Sequence, residues 1–152
     1  MKTIPATATD DDIREMVVEW SELLAAERYA EALAMFPYAG AWTPESLKST
    51  IEGYGVIELD HESLATLHEE FETDRFTVTG LRERNDFREI FEKRIDVDRE
   101  GLYGLNPSEY AGMVHYDDLP ICGSRSDLTV RFHIKRIGVN EITLEFLDLH
   151  VM

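Results

Sequence analysis

From Ser126 to Met152 apolar and polar residues alternate along two arms joined by IGVN. The first arm, SDLTVRFHIKR, places Leu128, Val130, Phe132 and Ile134 two apart, the period of a strand with one buried face. The second, EITLEFLDLHVM, begins in the same rhythm with Ile142, Leu144 and Phe146, then changes phase and continues as Leu147, Leu149 and Val151. A one-residue slip within one arm is the mark of a β-bulge, here at Phe146–Leu147, and a bulge bends the sheet. Pairing the arms through a three-residue turn at Gly138–Asn140 sets His133 opposite Glu145, Arg131 opposite Asp148 and Thr129 opposite His150. The predicted inner wall is Leu128, Val130, Phe132, Ile134, Ile142, Leu144, Leu147, Leu149 and Val151, with no acid or base among them. All the ionisable side chains of the hairpin fall on the other face.

The first half of the chain has a helical period. Asp12 with Glu15 has the spacing of a capping box, and Asp10 and Asp11 suit the positive end of a helix dipole. A helix is therefore expected from Asp12, after a flexible tail over 1–11. Ile13, Val17, Trp20 and Leu24 form one stripe. The step of five from Leu24 to Tyr29 breaks it, so a second, shorter helix carrying Tyr29, Leu33 and Phe36 is expected from about Glu27, stopped by Pro37. Thr43-Pro44-Glu45 opens a third, with Leu47, Ile51 and Tyr54 inward and Gly53 and Gly55 closing it. VIEL (56–59) fits a short strand. Asp60 caps a further helix bearing Leu64, Leu67 and Phe71.

Beyond Arg75 the period shortens. RFTVTGL (75–81) alternates as a strand, and Met113 to Leu119 reads as another. Segment 87–97, FREIFEKRIDV, satisfies both periods. Phe87, Phe91, Ile95 and Val97 fit a strand face, while Phe87, Ile90 and Phe91 with Asp86 and Glu89 as a capping box fit a helix. We read it as a strand. Asn106-Pro107-Ser108-Glu109 is expected to make one turn in a long loop.

Helices first and antiparallel strands afterwards describe an α+β fold, with N-terminal helices packed on a curved antiparallel sheet in a single domain over 12–152. ERYAEALAMF after a long first helix, with SDLTVRF and LEFLDLHVM closing the chain, resembles the nuclear transport factor 2-like superfamily, a cone-shaped α+β fold. The chain is most similar to small bacterial members of uncharacterised function. The resemblance covers element order over 12–152, and the closing hairpin is its most specific part. The superfamily contains ketosteroid-isomerase-like and polyketide-cyclase-like enzymes, transport adaptors and immunity proteins of toxin systems, so it implies a fold and leaves the function open.

Charge narrows the choice. The 152 residues carry 31 acids against 15 lysines and arginines. The imbalance is concentrated in residues 1–76, with 17 acids and 5 bases. Nucleic-acid phosphates and anionic lipid are poor partners for such a surface, and a basic protein is a suitable one. One cysteine, Cys122, excludes an intrachain disulfide, and no apolar run approaches a membrane span or a signal segment. A cytoplasmic protein is expected.

Candidate chemistry is sparse. On 113–119, Met113, His115, Asp117 and Leu119 share one face and Val114, Tyr116 and Asp118 the other. Inward, the first set offers a His115–Asp117 acid–base pair and the second a Tyr116–Asp118 hydrogen-bonding pair. Trp20, Tyr54, Tyr103, Tyr110 and Phe132 are candidate pocket aromatics, although such residues more often pack a core; Trp42 belongs with them. Arg131, His133, Glu145, Asp148 and His150 form a candidate interaction face on the outer sheet, suited also to a homodimer with Arg131 and Asp148 bridging subunits. His61, His68 and Glu72 lie on one helical face but match no zinc signature. DVDREG (96–101) begins like a calcium loop, yet Pro107 stands where the twelfth-position glutamate belongs. No metal or cofactor is expected, and Cys122 has no evident base beside it.

The leading expectation is a non-catalytic binding or interaction module, immunity-protein-like in binding a basic partner, or else taking a small apolar ligand. The alternative is an isomerase-, dehydratase- or cyclase-type enzyme using a pocket in the cone, with His115, Tyr116, Asp117 or Asp118 as general acid or base.

Overall fold

A computed structural model of the chain describes residues 1–54, Glu69 and residues 75–151. The elements run β1 (Ile4–Pro5), α1 (Asp10–Ala25), α2 (Tyr29–Met35), α3 (Pro44–Glu52), α4 (Phe87–Lys93), β2 (Ile95–Asp98), β3 (Tyr110–Tyr116), β4 (Pro120–Ile121), β5 (Ser124–Arg125), β6 (Leu128–Ile137) and β7 (Glu141–Val151). Five strands make an antiparallel sheet in the order β1-β7-β6-β3-β2, curled into a half-barrel, while β4 and β5 form a small separate hairpin. The fold is α+β and cone-like, as the element order implies.

The closing hairpin sets the curvature. β6 and β7 pair from Ile137↔Glu141 to Leu128↔Val151 around Gly138–Asn140, and the ladder slips by one residue between Arg131 and Phe132. Phe132 pairs with Phe146 and Arg131 with Asp148, which leaves Leu147 as the extra residue of the bulge. The slip is where the sequence places it, but its sides are exchanged. Phe146 is buried on the inner wall, whereas Leu147 turns to the outer face and Val151 is 50% exposed. The reason is packing. Phe146 fills the space between Trp20, Trp42 and Phe132, at ring-centroid distances of 5.2, 5.1 and 6.0 Å.

α1 begins earlier than its acids suggest. Thr9 is the N-cap, its hydroxyl accepting from the Asp12 amide at 3.2 Å, and the Asp12 carboxylate accepts from the Thr9 amide at 2.9 Å. Asp12 is thus the third residue of the capping box, not its first. Ile13, Met16, Val17, Trp20 and Leu24 face the sheet. The expected break follows Ala25, with Glu27 in a left-handed conformation, φ 59°, before α2. α3 opens on Thr43, whose hydroxyl accepts from the Ser46 amide at 3.0 Å while the Ser46 hydroxyl accepts from the Thr43 amide at 2.9 Å.

The residues expected as a tail are held. Ile4 and Pro5 pair with Ile142 and Glu141, the Lys2 amide donates to Met35 O at 2.8 Å, and the Lys2 ammonium meets Glu19 at 2.6 Å. α1 supplies further anchors through its carboxylates. Asp10 receives Arg99 at 2.9 Å, Glu15 receives Arg82, and one oxygen of Glu22 accepts the backbone amides of Leu81 and Arg82 at 2.6 and 3.2 Å.

Three strand expectations need correction. Segment 87–97 is a helix over Phe87–Lys93 and a strand only from Ile95. Ile90 and Phe91 are both buried, which adjacent residues achieve on a helix flank and not on one strand face. Asp86 stands at the N-cap of this helix, as the capping-box reading has it, but its side chain makes no capping bond and is taken by Arg84 at 2.7 and 3.0 Å. Residues 75–81 make no strand, only an isolated bridge from Val78 to Ile121. β3 ends at Tyr116 and not at Leu119. Asp118 adopts φ 56°, which inverts the alternation and buries Leu119. VIEL, the helix expected from Asp60, and His61, His68 and Glu72 lie outside the described residues.

Candidate binding face

The alternation of β3, β6 and β7 divides the sheet chemically. Val114 and Tyr116, Val130, Phe132 and Ile134, and Ile142, Leu144, Phe146 and Leu149 are buried towards the helices. The opposite face is laid out in rows: Met113, His133 and Glu145 in one, Asp96, His115, Arg131 and Asp148 in the next, Thr129 and His150 beyond.

The candidate outer-sheet residues come together here. Arg131 donates two bonds to Asp148, Nε–Oδ1 at 3.0 Å and Nη2–Oδ2 at 2.5 Å. His150 Nδ1 stands 3.0 Å from the same carboxylate. This guanidinium holds the Asp148 carboxyl below the usual carboxylate range, against the opposing effect of burial, with a smaller contribution from His150. Glu145 gathers His133 Nδ1 at 3.2 Å, Lys135 Nζ at 3.4 Å and the Tyr110 hydroxyl at 3.5 Å. The Tyr110 ring meets the His133 imidazole edge-on at 5.1 Å. The Arg131–Asp148 pair, set opposite each other by the hairpin register, closes within one chain.

Over the bulge this face sinks into a depression of about 560 Å³ lined by Tyr103, Leu105, Met113, His115, Arg131, His133 and Leu147. Met113 is only 6% exposed. The loop after β2 forms the rim. Tyr103 and Gly104 are consecutive left-handed residues, φ 46° and 86°, and Tyr103 stands 74% exposed with its hydroxyl 3.5 Å from Asp98. Leu147 is fixed from behind, since its carbonyl accepts the Trp42 indole N–H at 3.0 Å.

The four acid–base candidates separate. His115 lines the depression. Asp117, on the same side, accepts the Thr129 hydroxyl at 3.2 Å. Tyr116 is fully buried in the core beside Ser21, and desolvation raises its pKa well above that of an ordinary phenol. Asp118 faces out to Arg94 Nη1 at 3.1 Å, so the Tyr116–Asp118 pair is not formed. The five pocket aromatics also part company. Trp20 and Phe132 pack edge-to-face at 5.2 Å in the core. Tyr54 bonds Asp127 and packs on Phe76 at 5.2 Å, and Tyr110 lies against His133. Of the five, Tyr103 lines the depression.

Other motifs resolve into local structure. Cys122 and Gly123, φ 49° and 82°, are the two-residue turn joining β4 to β5. Asp98 of DVDREG accepts the Glu100 amide at 3.0 Å. Among the described residues no cluster of three or more His, Cys, Asp or Glu side chains is arranged for a metal ion, and no helix is long and apolar enough to cross a membrane. Leu105, Met113 and Leu147, the apolar floor and wall of the depression, were not among the expected site residues. The phase slip was the one signal that pointed to Leu147.

Comparison with known proteins finds no matching family model, curated protein or solved structure.

Proposed function

We propose that this chain is a non-catalytic binding module on a nuclear transport factor 2-like cone, and that its partner is a protein with a basic surface. The observation that carries this reading is the inner wall. Val130, Phe132, Ile134, Ile142, Leu144 and Phe146 are buried against Trp20 and its neighbours on α1. General acid–base catalysis needs a titratable group within reach of substrate. Among the described residues of β3, β6 and β7 the inner face offers the Tyr116 hydroxyl, which is buried and held neutral, and, at the tip of the hairpin, Arg136, which is exposed and donates to the Pro107 carbonyl at 3.0 Å.

The basic partner follows from charge. The net charge is −16, and residues 55–74 alone contribute seven acids and no lysine or arginine. An immunity-protein-like complex with a cationic domain is the concrete form of this proposal. Binding to a panel of cationic protein domains, with acidic domains as controls, tests it by fluorescence anisotropy at about 50 and about 300 mM salt. Affinity for a cationic partner should fall at least tenfold over that range. Salt-independent binding, or no binding to any cationic domain, overturns the reading.

One observation favours an enzyme of the isomerase, dehydratase or cyclase type: His115 lines a depression together with His133 and Arg131. On that reading His115→Gln abolishes turnover. On the binding reading the same change leaves capture of the cationic partner intact.

A further inference from the structure

The depression over the bulge has a chemistry that neither the inner wall nor the acidic surface explains. Its volume, about 560 Å³, lies in the range of small-molecule sites, roughly 300–1,000 Å³. Its apolar surface comes from Leu105, Met113 and Leu147 on a sheet face otherwise given to ions. A thioether and two leucines present a soft surface to a flat ring. Tyr103 adds an aromatic face at the rim, held largely in water by a left-handed backbone that a tyrosine adopts unfavourably.

We propose that this depression binds a small, uncharged aromatic molecule carrying one hydrogen-bonding group, of the phenol or indole class. The choice of a neutral ligand rests on how the charges nearby are spent. Arg131 gives two donors to Asp148, and His133 Nδ1 and Lys135 are both turned to Glu145. Arg131 is the one formally charged residue of the lining and is already paired with Asp148, while Asp96, opposite His115, is exposed and outside the lining, so neither a carboxylate nor an ammonium finds an unpaired opposite charge within the depression. Besides the remaining N–H groups of Arg131, which only donate, the polar groups left over are the two ring nitrogens of His115 and Nε2 of His133. Each donates or accepts one hydrogen bond according to its tautomer, which matches a single hydroxyl or N–H on an otherwise apolar ring. The bulge is what makes the site. Without its extra residue, Leu147 would not stand on this face between the charged rows.

The full chain, titrated with 4-methylphenol and indole and separately with 4-methylbenzoate and 4-methylbenzylamine, tests the proposal by NMR of the histidine ring protons and the Met113 methyl. The neutral probes should give saturable shifts at His115, His133 and Met113, and bind at least tenfold more tightly than either charged analogue. Tyr103→Gly suits the positive φ and removes an exposed ring, so the fold is retained; His115→Ala removes the free imidazole. At least one of the two should weaken the neutral probes tenfold. No saturation below about 10 mM, equal or tighter binding of a charged analogue, or unaltered binding in both variants overturns the proposal. Tyr103 and Leu147 carry no charge, so failure here leaves salt-dependent capture of a cationic partner standing, and the reverse also holds.

Discussion

Arg131 grips Asp148 by two nitrogens across the β6–β7 ladder, at 3.0 and 2.5 Å, immediately beside the position where Leu147 is pushed out of register. The fork fixes the geometry of the strands where the ladder is weakest, because a bulge leaves its extra residue unpaired.

Stability should depend on this pair in a pH-specific way. Asp148 has a lower pKa folded than unfolded, so its contribution is complete above the unfolded value, about 4, and is lost as pH falls through the folded value. The arginine and aspartate side chains are 40% and 32% exposed, which limits the effect. Asp148→Asn should cost about 0.5–1 kcal/mol at pH 7 and progressively less below pH 4. Urea melts of both proteins at pH 7 and pH 3 check this. An equal penalty at both values removes the ion pair as its cause.

Gly112 is the sharpest backbone test. It sits at the β3–β6 irregularity with φ 140°, and a Cβ there would lie 2.2 Å from the Asp98 carbonyl oxygen and 2.9 Å from Arg99 Cα. Both obstacles are main chain, so neither can rotate away. Gly112→Ala should destabilise by more than about 2 kcal/mol, and a neutral result in denaturant melts contradicts the close approach.

The aromatic cluster sets the scale of the core. Phe132 touches Trp20, Phe36 and Phe146, with centroids 5.2, 5.9 and 6.0 Å away. Phe132→Ala should cost about 3–5 kcal/mol by chemical denaturation, from lost transfer energy together with the cavity left behind. A cost under about 1 kcal/mol would mean that the cluster is loosely packed.

Tyr116 offers a spectroscopic readout. Its phenol is desolvated, so it should stay neutral in alkali until the protein unfolds. In ultraviolet titration Tyr116→Phe should remove one tyrosine from the group that ionises only with unfolding. Loss instead from the freely titrating group places the hydroxyl in water.

The parts legible in sequence were those whose signals are local. The Leu24-to-Tyr29 break, the Thr43-Pro44 opening and the pairing of His133 with Glu145 and Arg131 with Asp148 follow from spacing alone. Segment 87–97 was not legible, because Phe87, Ile90, Phe91, Ile95 and Val97 satisfy two periods and the protein uses both in turn. Residues 75–81 alternate correctly, but a strand also needs a neighbour, and the sequence of one segment does not encode its neighbour. The depression was hidden for a related reason. Sequence located the slip, while the side to which Leu147 turned depended on Phe146 fitting between Trp20, Trp42 and Phe132.

The carboxylates along the first helix have a practical consequence for mapping any partner. Asp10, Glu15, Glu19 and Glu22 tie the helix to three other parts of the chain: Asp10 to Arg99, Glu19 to the ammonium of Lys2, and Glu15 and Glu22 together to Leu81–Arg82, through the Arg82 guanidinium and the two backbone amides. They are stitches before they are bait. Charge-reversal scanning that starts there will unpick the protein's own seams, and acids elsewhere are where an incoming cation must first be sought.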